Sequence, residues 1–185
     1  MIADILKDTE TRMRKAMDAL HHNLDSVRTG RASPALVERI HVEYYGASTP
    51  LNQLAGISVP ESRLIVIQPW DRGSIGPIEK AIMQSDLGLN PNNDGQVIRI
   101  NIPTLTEERR KQLVKIVHGT TEESKVAVRN VRRDAISQAK DLTSKKEISE
   151  DDERRANGDI ETLAKKYVDE AEKIGKAKEH EVLEV

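Results

Sequence analysis

The pattern of apolar and polar positions divides the chain into three stretches. In residues 1–28, Leu6, Thr9, Met13, Met17, Leu20, Leu24 and Val27 follow one another at spacings of three or four, and Ile2 and Ile5 extend the stripe. That is one face of an amphipathic helix. No Gly or Pro interrupts it. Thr29-Gly30 supplies a stop, and Arg28 is expected in the last turn, where it suits the negative end of the helix dipole.

Residues 106–185 read as helix again. Thr106 has the chemistry of an N-cap, with Glu107 and Glu108 in the first turn. Leu113, Val117, Thr120, Ser124, Ala127, Val131, Ala135, Gln138 and Leu142 predict the seam of a helix over 106–146. Ser149-Glu150-Asp151-Asp152 is a Ser-x-x-acid start signal for a second helix, whose seam is Ile160, Ala164, Tyr167, Ala171 and Ile174.

Between these, prolines and glycines concentrate. Residues 38–45 alternate, with Ile40, Val42 and Tyr44 on one side. Residues 63–68 hold the apolar run Leu64-Ile65-Val66-Ile67, and residues 96–102 alternate with Ile98, Ile100 and Ile102 in phase. These are strand signals, bounded by Gly46, Thr49-Pro50 and Asn93-Asp94-Gly95. Ser74 to Ser85 carries Ile75, Ile78 and Ile82 at helical spacing, with Gly88 as the expected stop.

A long amphipathic helix is stable in water only when its stripe is buried. Three such helices satisfy one another as a bundle. The reading is therefore α+β in two domains: a three-helix bundle from residues 1–29 and 106–185, interrupted by a small inserted β/α/β domain at 30–105. Two short crossings join them, at Thr29-Gly30-Arg31 and Pro103-Thr104-Leu105, and paired short crossings behave as a hinge.

Composition narrows the function. The 185 residues include no Cys, no Phe, one Trp and three Tyr. Disulfides, Cys-based zinc sites and thiol nucleophiles are excluded. The start MIADILKDTE lacks a signal-peptide pattern, and no apolar run has the length of a membrane span, so a soluble cytoplasmic protein is expected. The five His show no metal-ligand spacing, and no nucleophile elbow, phosphate loop or dinucleotide fingerprint occurs. No metal, cofactor or catalytic constellation is predicted.

Charge is polarised. Residues 106–146 hold eleven basic and six acidic residues, net +5, and residues 147–185 hold seven and thirteen, net -6. On a helical wheel Lys111, Lys115, His118, Lys125, Arg129, Arg132, Arg133 and Lys140 fall within about 100°, on the side expected to face away from the seam. Such a face is either a solvated surface partly neutralised by the acidic helix or a track for nucleic-acid phosphates. With so few aromatics, base stacking has little to offer it, and a structured RNA gripped by backbone and shape fits better. A helical scaffold docking other proteins is the alternative.

Six motifs carry a resemblance: Arg28-Thr-Gly-Arg-Ala-Ser-Pro34, Val42-Glu-Tyr-Tyr-Gly46, Asp86-Leu-Gly-Leu-Asn-Pro91, Leu105-Thr-Glu-Glu-Arg-Arg-Lys111, Val126-Ala-Val-Arg-Asn-Val-Arg-Arg-Asp-Ala135 and Lys146-Glu-Ile-Ser-Glu-Asp-Asp-Glu-Arg-Arg155. In order and over essentially the whole chain, they resemble the bacterial ribosome recycling factor family. The resemblance implies an L-shaped, tRNA-like monomer that is not an enzyme. It implies action after termination, with elongation factor G and its GTP hydrolysis, to split the ribosome. It implies contacts with large-subunit rRNA at Arg129 and Arg132, with Arg133 and Lys125 beside them on the basic face and Arg28 as a further candidate.

Overall fold

A computed structural model describes residues 1–184; Val185, the last residue of the predicted bundle segment, lies outside them. The chain divides into two compact units. One comprises Met1–Leu24 with Val114–His180, the other Asp25–Leu113 with the residues from Glu181 onward.

The first unit holds most of three helices, α1 (Ile2–Asp25), α3 (Glu107–Ser144) and α4 (Glu150–Leu183). In the sequence, α2 (Ile75–Gln84) of the second unit falls between α1 and α3. Each predicted start is present. Thr106 Oγ1 accepts from the Arg109 amide at 3.1 Å, capping α3. At α4 the capping is reciprocal: the Asp152 amide donates to Ser149 Oγ at 3.1 Å, and the Ser149 amide to Asp152 Oδ2 at 3.3 Å. These bonds, with Arg155 beside them, hold the Asp152 carboxyl below the usual carboxylate range.

α1 buries Thr9, Met13, Met17, Leu20 and Leu24, the stripe read from sequence. It ends at Asp25, three residues short of the expected end, so Arg28 is not in its last turn. The seam of α3 is also rotated. Thr121, Val128 and Ala139 are buried alongside Leu113, Val117, Ser124, Val131 and Ala135, whereas Gln138 is exposed and Thr120, Ala127 and Leu142 are only half-buried. α4 packs through Ala156, Ile160, Ala164, Tyr167 and Ala171, with Ile174 half-buried. Polar contacts knit all three helices. Arg12 Nη2 bonds Asp134 at 2.9 Å, Arg14 Nε donates to the Tyr167 hydroxyl at 3.2 Å, and that hydroxyl donates to Glu10 at 3.1 Å.

The second unit contains a hairpin, β1 (His41–Tyr44) and β2 (Ala47–Pro50), and an antiparallel sheet in the order β3-β4-β6-β5. The sheet strands are β3 (Ala55–Glu61), β4 (Leu64–Pro69), β5 (Pro91–Asn93) and β6 (Ile98–Asn101), with α2 (Ile75–Gln84) between β4 and β5. Its core is almost wholly aliphatic: Val37, Val42, Leu51, Ile65, Ile67, Ile78, Ile82, Ile98, Ile100 and Ile102 are fully or nearly fully buried. The strand expected at 63–68 is present one residue further on, at Leu64–Pro69, and those expected at 38–45 and 96–102 are present in shortened form. Sequence reading missed β2, β3 and β5. β3 and β5 are the sheet edges, and Pro60 sits at the irregularity in the β3–β4 register, as edge strands allow. α2 ends at Gln84, where Ser85 Oγ bonds the Ile82 carbonyl at 2.7 Å; Gly88 lies beyond it in a later turn, at φ +64.

The β1–β2 turn is Tyr45-Gly46, both at positive φ (49 and 79), the two-residue turn that suits strand twist. Gly46 adopts this freely; Tyr45 does so at a steric cost of about 1–2 kcal/mol. The Tyr45 side chain is 88% exposed, edge-on to Tyr44 at 4.5 Å between ring centroids. Trp70, just past β4, is 70% exposed.

Candidate nucleic-acid interface

The basic residues of α3 fall into two tiers, a consequence of the rotated seam. Lys115, Arg129, Arg133 and Lys140 form an outer, exposed tier about 38 Å long. Among the described residues, neither Arg129 nor Arg133 makes an ion pair. Lys111, one turn into α3, is exposed and pairs with Glu107 at 3.3 Å.

The inner tier is His118, Lys125 and Arg132. It flanks the packed face rather than pointing away from it, which corrects the expectation for these three residues. Each meets an acid of α4. His118 Nε2 lies 3.0 Å from Glu179, Lys125 pairs with Glu172 and with Glu122 at 3.3 Å, and Arg132 Nη1 reaches Glu161 at 3.5 Å. The Lys125 side chain is only 14% exposed, and that of Arg132 is 31% exposed. The hydrogen bond to Glu172 raises the Lys125 ammonium above its ordinary range, and the same bond holds the Glu172 carboxyl low. These α4 acids were not singled out from sequence. Their signal was there: Glu172 and Glu179 repeat at seven, as do His118 and Lys125.

Arg28 belongs to the second unit. Its Nη2 donates to the Pro103 carbonyl at 2.7 Å, so it joins the two crossings, while Nε is buried without a partner. Burial, with Arg109 nearby, lowers its pKa from the ordinary arginine value. The residue next to each crossing is held at the β3–β4 turn: the Ala32 amide donates to the Ser62 carbonyl at 2.7 Å, and the Ile102 amide to the Arg63 carbonyl at 2.8 Å. Thr29 is buried and its hydroxyl accepts from the Arg31 amide at 3.2 Å; Leu105 is buried too. Gly30 has an ordinary φ and open space where a Cβ would sit, so nothing local requires glycine there. Gly30, Arg31, Thr104 and Leu105 line one cleft with Arg63 and Arg110.

The outer tier offers guanidinium and ammonium donors with no acceptor of their own, a surface matched to phosphate or carboxylate oxygens. Among the described residues no group of acidic or His side chains is arranged to hold a metal ion, and no helix is long and apolar enough to cross a membrane.

Comparison with known proteins places this geometry. The model of the family described as "Ribosome recycling factor" matches residues 20–183. The chain is 57% identical over 185 residues to the "Ribosome-recycling factor" of Thermomicrobium roseum and 56% identical to that of Halalkalibacterium halodurans, each match covering all of both chains. A solved structure described as the solution structure of the ribosome recycling factor is 47% identical, with a TM-score of 0.76, and covers 100% of this chain and 98% of that one. A second is described as models for the T. thermophilus ribosome recycling factor and the E. coli elongation factor G bound to the E. coli post-termination complex. It is 44% identical at a TM-score of 0.69 and covers all of both chains. With half its residues shared along the entire length and the same combination of long helices and small sheet, this chain belongs to the ribosome recycling factor family.

Proposed function

We propose that this chain recycles ribosomes: with elongation factor G and its GTP hydrolysis it takes apart the post-termination complex and splits the subunits so that they can initiate again. The observation that carries this reading is the identity of 57% to a ribosome-recycling factor across the full length of both chains. The chain itself catalyses nothing in this reading, and the free energy comes from the partner's GTP. It acts in the cytoplasm as a monomer.

The finer part of the reading concerns the RNA. The α3 face grips large-subunit rRNA through Arg129, Arg132, Arg133 and Lys125, and Arg28 adds a contact beside the first crossing. Exposed arginines suit phosphates because the guanidinium fork bonds two oxygens at once. The bundle of 1–29 and 106–185 holds the RNA, and the domain of 30–105 moves on the crossings at Thr29–Arg31 and Pro103–Leu105.

The deciding experiment incubates post-termination polysomes with the purified chain, with and without elongation factor G and GTP. Breakdown to subunits is expected only with all three present. No breakdown in the complete mixture overturns the reading.

A further inference from the structure

The inner tier is a ladder whose register predicts its own break. α3 and α4 run antiparallel, so each step of seven forward on α3 matches a step of seven back on α4. His118 meets Glu179 and Lys125 meets Glu172 on that rule. The next rung brings Arg132 opposite residue 165, and residue 165 is a lysine. Arg132 therefore reaches a turn further, to Glu161, at 3.5 Å. This is the longest of the inner tier's contacts with α4. The Arg132 Nε is buried and unpartnered, so the side chain's one polar contact is at its far end, through Nη1.

We propose that Glu161 and Lys165 are the positioning residues that set how freely Arg132 meets an RNA phosphate: Glu161 holds the guanidinium loosely in place, and Lys165 denies it a tight partner. The inference rests on reading the α3 face as an RNA surface. A cation already locked to a carboxylate must break that pair before it can neutralise a phosphate. Lys125, mostly buried and paired with two acids, is in that condition. Arg132 has a single long contact, and the seven-residue register puts a lysine, Lys165, where its next partner would fall. An arginine in this state is pre-extended and easily transferred, so the ladder reserves one rung for the ligand.

The test titrates vacant ribosomes across a range of salt with four variants of the full chain: Arg132→Ala, Glu161→Gln, Lys165→Glu, and Lys165→Glu combined with Arg132→Ala. Glu161→Gln should bind about twofold to fivefold more tightly, the scale of one exposed ion pair. Lys165→Glu completes the rung and should weaken binding by about as much or more, with a shallower dependence on salt. In the Arg132→Ala background the Lys165→Glu change should lose most of its effect, because coupling needs both partners. Unchanged affinity in Glu161→Gln and Lys165→Glu, while Arg132→Ala weakens binding, overturns the inference alone. So does an undiminished Lys165→Glu effect in the Arg132→Ala background, which would make it a general charge effect. If Arg132→Ala binds as the parent does at every salt concentration, the reading of Arg132 as an RNA contact falls and takes the inference with it. Helix content and melting should be nearly the same in all four, which separates positioning from folding.

Discussion

A side chain on Gly175 of α4 would collide with Thr121 of α3. A Cβ built there meets Thr121 Oγ1 and comes within 2.9 Å of its Cγ2. Thr121 cannot easily yield, since it is buried and its hydroxyl donates to the Val117 carbonyl at 2.8 Å. The two helices therefore approach through a glycine. Gly175→Ala should destabilise the bundle: overpacking costs about 1–3 kcal/mol, against about 1 kcal/mol gained from replacing a helical glycine. Thr121→Ala in the same chain should restore much of the loss. Thermal melting of the single and double variants checks this, and a higher Tm for Gly175→Ala alone would refute the close approach.

Acid should loosen the Asn93-Asp94-Gly95 turn. Asp94 accepts from the Gln96 and Val97 amides at 2.9 Å each and from Arg99 at 2.8 Å. The backbone bond from Val97 first, then the Arg99 pair, hold its carboxyl far below the usual carboxylate range. A folded-state pKa depressed below the unfolded one contributes stability above the unfolded value, near 3.9 on reference scales. That stability drains away as pH falls through and below it. Hydrogen exchange at the Gln96 and Val97 amides should therefore lose protection below about pH 4 relative to the expected intrinsic rate. In Asp94→Asn the protection should be lower at neutral pH and flat across the acid range. A parent chain whose turn keeps its protection at low pH contradicts the assignment.

The outer tier makes a separate prediction. Arg129→Ala and Arg133→Ala should weaken ribosome binding while leaving melting unchanged, since both side chains are exposed and, among the described residues, make no ion pair. Each should reduce the salt slope by about 1, as for one lost phosphate contact. Full affinity in both variants would assign the RNA contact elsewhere.

The crossings give a fourth. Gly30→Ala should be silent in folding and in subunit splitting, because a methyl group there meets open space. Gly30→Pro fixes φ and should keep ribosome binding but slow splitting. Splitting at the parent rate, in a proline variant shown by paired spin labels to have lost its domain motion, would remove the hinge from the mechanism.

What was legible in the sequence follows from what decides each element. The α1 stripe, the caps at Thr106 and Ser149 and the α2 face were readable because local periodicity and side-chain chemistry settle them. The end of α3 was not. Its last turn closes with the Glu147 amide on the Leu142 carbonyl at 2.9 Å and the Lys146 amide on Thr143 at 3.0 Å. Lys146 takes the left-handed position at φ 59 where a glycine would have announced the stop. The edge strands were hidden because their order depends on pairing with β4 and β6, which lie elsewhere in the chain. The basic face was visible on the wheel, yet its division into tiers was not. That depends on where α4 lies, and a one-residue choice between Thr120 and Thr121 turns the seam enough to move Lys125 and Arg132 to its edge.

The exposure of Trp70 has an optical consequence. The indole is already largely in water, and the core that closes the sheet is built from isoleucine, valine and leucine, which neither absorb nor emit in the near ultraviolet. Unfolding of this unit should leave the tryptophan spectrum nearly where it was, a silent transition in fluorescence. What the indole can register is its outside: a macromolecule settling against that corner would shift an emission that the chain's own collapse barely touches. The single tryptophan of this unit watches the solvent, while the core beneath the sheet is recorded mainly by its methyl groups.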